Sequence, residues 1–182
     1  MGTYEIICYL NLDIKINELL IYHAQLMICD NIHIKLHYFL TILGKPMKAP
    51  LYDEILDICQ LIATASAQDN DAAREDACKN LQKLCATNQD TPKDHPLQWE
   101  ALADFTEDGD LAMDIYELAL ASAEKLKLPT FTASVYLAMA QRQQEFEETE
   151  KAIEFAKQAE IASASIEDEE LKQEIKAFLA TL

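Results

Sequence analysis

Glycine is scarce in this chain, and that scarcity limits its possible folds more than any other feature. Three of 182 residues are Gly and five are Pro, and beyond Gly44 the sole glycine is Gly109. A many-stranded sheet needs a tight turn after each short strand, and those turns draw on Gly, Asn-Gly and Pro. A Gly-looped phosphate site needs glycines where the backbone closes on the ligand. Neither supply is present. Half of the residues are apolar, enough for a packed core in a chain of this length. Helices joined by short polar turns remain, so the expected fold class is all-α.

Charge narrows the functional classes. The net charge is −17, from 32 acidic and 15 basic residues. Nucleic acid and anionic membrane both require a basic footprint and are excluded as partners. The five cysteines, Cys8, Cys29, Cys59, Cys78 and Cys85, are odd in number and form no C-x-x-C. That pattern fits buried thiols in a reducing cytosol better than a disulfide scaffold. The N-terminus lacks a basic leader, and Glu5 and Asp13 interrupt its apolar run. The uncharged stretch from Leu19 to Cys29 is far shorter than the roughly 20 residues of a spanning helix.

Composition breaks at Met47. Residues 1–46 carry three lysines against four acids, so nearly all of the negative charge falls afterwards. Ala24 is the only alanine before the break, whereas alanine crowds the rest. Residues 1–46 are read as an N-terminal extension. It is either a separate element packed on the helical region or sequence upstream of a true start at Met47. Residues 47–182 are read as one helical domain.

In that domain the apolar residues recur at helical spacing in seven segments. Pro50 suits the first turn of a helix carrying Leu51, Ile55, Ile58, Cys59 and Ile62 and ending near Ser66. Asp69 to Asp71 cap a second, with Ala77, Leu81, Leu84 and Cys85 on one face. Residues 87–96 read as a polar linker in which His95 is a solvated side chain. A third helix runs from Leu97 to about Thr106 and a fourth from the Asp108-Gly109 turn to about Leu126, where Leu128-Pro129 stops it. Thr130 opens a fifth, with Phe146 marking the next turn. A sixth spans Thr149 to about Ala164. Ser165 is expected to cap the last, whose stripe is Leu171, Ile175, Phe178, Leu179 and Leu182.

An internal echo links these segments. Ala112, Ile115, Ala119 and Ala123 recur forty residues later as Ala152, Phe155, Ala159 and Ser163. Trp99, Leu102 and Ala103 repeat in type as Tyr136, Met139 and Ala140. Large and small residues in this arrangement resemble the tetratricopeptide (TPR) repeat, over residues 97–164 most clearly and over 50–182 in helix pattern alone. The repeat spacing here exceeds the usual length of about 34 residues. The resemblance implies antiparallel helical hairpins stacked as a short TPR-like α-solenoid, with the last helix as a soluble cap. Trp99 then falls in the core.

The same resemblance implies a function. First helices of such hairpins line a groove that binds an extended or helical peptide. That groove is expected at exposed positions near Gln98, Asp104, Ala133, Ser134, Leu137 and Gln141. None is basic, so the clamp with which some TPR co-chaperones hold a C-terminal carboxylate is missing, and a basic or apolar protein or peptide suits it better. The expected function is a non-catalytic scaffold or adaptor, and self-association is compatible with it. The alternative from another class is a small acidic inhibitor or immunity-type protein masking a basic effector. No nucleophile motif, phosphate loop or cofactor box is present, so no catalytic residue, metal or cofactor is expected. Cys29, His33 and His37 lie at i, i+4 and i+8, a stripe of soft ligands, but a zinc site needs a fourth group that is not evident. The carboxylate runs at 145–150 and 167–170 read as solvated helix starts and turns.

Overall fold

The computed structural model describes residues 49–182. They form seven helices: α1 (Tyr52–Ala67), α2 (Asp71–Asn88), α3 (Pro96–Asp104), α4 (Gly109–Leu126), α5 (Pro129–Glu145), α6 (Thr149–Ser163) and α7 (Glu169–Leu179). No strand occurs among the described residues, and no helix among them is long and apolar enough to cross a membrane. The all-α expectation therefore holds for the described residues. The extension 1–46 and the Cys29, His33, His37 stripe lie outside the described residues.

Local chemistry sets the helix ends. The side chains of Asn70, Asp108 and Asp168 accept the backbone N–H of Ala73, Leu111 and Leu171 at 3.2, 2.9 and 3.0 Å, satisfying donors that each first turn leaves free. Asp168 thus caps α7, replacing the expected Ser165, because the chain enters the helix only at Glu169. Pro50 precedes α1, whose N-cap is Leu51 in the left-handed region at φ 61°. Pro129 does not merely stop α4. It opens α5, where its missing N–H costs nothing.

Three of the turns show how a Gly-poor chain reverses direction. Asp69, Lys127 and Glu147 adopt left-handed φ values of 51°, 57° and 60°. Each is followed by a residue whose N–H reaches the carbonyl five positions back: Asn70 to Ala65, Leu128 to Ala123 and Glu148 to Gln143, all at 2.9 Å. This is the Schellman closure usually given to glycine, made here by polar residues that accept some strain.

The helices pack as successive pairs, α1 on α2, α3 on α4 and α5 on α6. Each pair also meets the next: α2 touches α3, α4 touches α5, and α1, α3 and α5 touch in succession. α7 packs on α6. Fully buried alanines at 112, 119, 123, 152, 156 and 159 allow the paired helices to approach closely, so the small residues of both halves of the sequence echo are core positions, while Phe155 is partly buried at the core's edge. Tyr136 stacks on Phe155 within the α5/α6 pair, ring centroids 6.5 Å apart. One apolar cluster runs from Ile55, Cys59 and Leu81 through Trp99 and Tyr116 to Val135 and Met139. A second joins Ala133, Leu137 and Ala159 to Ile166, Leu171 and Ile175. α5 contributes to both clusters.

Candidate functional site

The site is built on α3, a helix of only nine residues that owes its position to polar anchors. His95 is not solvated, as the sequence suggested. It is buried, its Nδ1 accepts the N–H of Leu97 at 3.2 Å as the N-cap, and its ring meets Phe131 edge-on at 4.9 Å. Burial holds its imidazole below the usual value. The neighbouring Asp94 carboxylate accepts from the Trp99 indole N–H at 2.7 Å and the Gln98 amide at 3.1 Å, fixing the helix start.

Glu100 and Asp104 stand one turn apart on α3, two like charges on one face. Glu100 accepts a hydrogen bond from the Ser134 hydroxyl of α5. Asp104 accepts from the buried Tyr116 hydroxyl of α4 at 2.5 Å. Arg142 of α5 reaches back to the end of α3: its Nη2 donates to the carbonyls of Ala103, Asp104 and Thr106 at 3.3, 3.3 and 3.1 Å, while Nη1 meets Glu145 at 3.1 Å. A guanidinium there offsets the negative end of the α3 dipole. Two turns beyond Ser134 on α5, Gln141 donates to Glu174 of α7. Glu100, Ser134, Gln141 and Glu174 therefore tie α3, α5 and α7 together by polar groups.

Neither Glu100 nor Glu174 is in an ion pair among the described residues. Burial, reinforced by Asp104, pushes the Glu100 carboxyl up to about 8 against the opposing Ser134 bond. Burial, with Glu170 and Asp168 adding to it, pushes Glu174 up to about 7. The Tyr116 hydroxyl is likewise raised, chiefly by burial. A carboxyl whose folded pKa exceeds its unfolded value holds its proton better in the native state, so that stability is lost as pH rises through the folded values. The melting temperature is accordingly expected to fall between pH 5 and pH 9, by at least about 5 °C for a domain of this size. Glu100→Gln should flatten much of that slope in a calorimetric series. A variant with the parent's slope would show that Glu100 titrates normally.

The expected groove residues divide. Gln98, Ala133, Ser134 and Leu137 are buried, contrary to the exposure the sequence implied, because α5 is covered on two sides and α3 is clamped at its start. Asp104 and Gln141 are partly exposed and belong to the polar set just described. Glu100, Glu174, Tyr116 and Arg142 escaped the sequence reading. Arg142 alone carried a signal, being one of two arginines in a chain whose other basic residues are lysines. The thiols of Cys59 and Cys85 are buried and pushed up to about 12, chiefly by burial, as the reading of inert buried cysteines requires. Among the described residues no group of three or more His, Cys, Asp or Glu is placed to hold a metal ion. Compared with models of known families, with curated proteins and with solved structures, the chain matches none.

Proposed function

We propose that the domain is a non-catalytic interaction module that binds a basic segment of a protein partner along α3, α5 and α7, in the manner of a TPR-like stack of hairpins. The observation that carries this reading is the pair of carboxyls on Glu100 and Glu174, half-buried and hydrogen-bonded to neutral groups, with no ion-pair partner among the described residues. Desolvated carboxyls of this kind are costly to ionise alone, and a lysine or arginine from outside removes that cost. The succession of contacts among α1, α3 and α5 supports the same reading, because first helices of stacked hairpins face one continuous surface. Asp104 and Gln141 remain in the binding set and Glu100 and Glu174 join it. Ser134 supports it through its bond to Glu100, while Gln98, Ala133 and Leu137 are buried and leave the set.

Binding a cation favours the ionised carboxyls, so binding should release protons and tighten with pH. A fluorescein-labelled decapeptide of alternating Lys and Leu, titrated by anisotropy into the full chain, is expected to bind at least about tenfold more tightly at pH 8 than at pH 6, the equivalent of one pKa unit of coupling. Glu100→Gln should weaken binding at pH 8 and remove most of the pH dependence. Affinity that is the same at both pH values and in the variant would overturn the proposal.

A further inference from the structure

A second surface lies elsewhere. α3 packs against both α2 and α4, and where those two diverge above it they leave an open channel of about 420 Å³. Its floor is Trp99, Leu102 and Phe105. One wall is a stripe running from Glu75 through Lys79 and Gln82 of α2 to its C-cap Gln89, a span of about 21 Å at 1.5 Å per residue. The other is Leu111, Ile115 and Leu118 of α4. Leu111 and Leu118, two turns apart on one line, are 50% and 42% exposed. Leucines that open to solvent over an apolar floor form an unfinished interface.

Charge on the α4 side is one-signed. Asp110, Asp114 and Glu117 are exposed beside the leucine line, none is in an ion pair among the described residues, and α4 has no basic residue before Lys125. The α2 side is neutralised within itself, where Lys79 and Glu75 pair at 2.7 Å. Both walls are helices with no free backbone edge, so an added strand has nothing to pair with, whereas ridges at i, i+3, i+4 and i+7 fit a third helix.

The geometry points to a partner protein that docks an amphipathic helix of about four turns in the α2/α4 channel, its apolar stripe on Leu111 and Leu118 and a flank of lysines or arginines against Asp110, Asp114 and Glu117. None of Glu100, Asp104, Gln141 and Glu174 lines this channel, and the proposal stands or falls separately from theirs.

Trp99 is the only tryptophan in the chain, so its emission reports on the channel floor directly. The probe is a 15-residue Trp-free helical peptide with leucines on one stripe and lysines along its flank, titrated into the full chain. The controls are its scrambled sequence and the same peptide with glutamates for lysines. The leucine and lysine peptide is expected to shift Trp99 emission and to bind at least tenfold more tightly than either control. Leu111→Ser with Leu118→Ser, both at exposed positions and checked for unchanged helix content, should cost at least tenfold in affinity. Glu100→Gln should leave this binding unchanged. No binding, equal binding of a control, or an unaffected double variant would overturn the proposal. So would self-association of the parent, seen by sedimentation and lost in the double variant, which would assign the channel to a second copy of the chain.

Discussion

Trp99→Ala is expected to remove about 3–5 kcal/mol of stability, the usual cost of truncating a buried aromatic. Trp99 is 6% exposed, belongs to the larger apolar cluster, and binds Asp94 through its indole N–H. The substitution empties part of that cluster and also takes a donor from the carboxylate that anchors α3. Against a total of about 5–15 kcal/mol for a typical domain this is a large fraction, and the melting temperature should drop by more than about 10 °C. Trp99→Phe, which keeps most of the packing but not the N–H, should lose much less. A melting temperature within about 2 °C of the parent for the alanine variant would show that Trp99 serves only as the floor of the channel.

Removing residues 166–182 should be nearly as severe and should look different. Ile166, Leu171 and Ile175 are buried against Ala133, Leu137 and Ala159, with Phe178 and Leu179 packed at the edge. Their loss opens the apolar face of α5 and α6 to water at about 25 cal/mol per Å². It also leaves Glu174's partner, Gln141, in the exposed surface. The truncated protein is expected to melt at least about 8 °C lower and to associate through the uncovered face. A truncated chain that stays monodisperse with an unchanged melting temperature would mean that α7 is not a cap but a segment held in reserve for a partner.

How far the sequence could be read depended on where each signal resides. Helix existence was legible because caps and apolar spacing are local: Asn70, Asp108 and the turns at Gly109 and Phe146 fell where the pattern put them. The buried position of Trp99 was legible because large and small residues alternate with their counterparts at Tyr136 and Ala140. What failed was direction. α5 has nine buried residues spread around its circumference, so its sequence offers no polar face from which an exposed side could be deduced. That is why the pattern points to a groove at Ala133, Ser134 and Leu137, which lie in the interior. The burial of His95 is not legible in its polar neighbours, since only tertiary packing brings Phe131 onto its ring. Glu100 carries no signal of its own, because one acid in a chain with 32 looks like solvated surface until Asp104 and Ser134 are placed beside it.

The sharing of α5 between two apolar clusters also bears on how the domain comes apart. Phe131, Val135, Ala138 and Met139 hold it to the helices before it, and Ala133 and Leu137 hold it to those after it. Opening at α7 leaves the first attachment intact, and opening at α1 and α2 leaves the second. α5 is thus the one helix anchored from both sides, and in native-state hydrogen exchange its amides are expected to be among the last to open, whichever side loosens first.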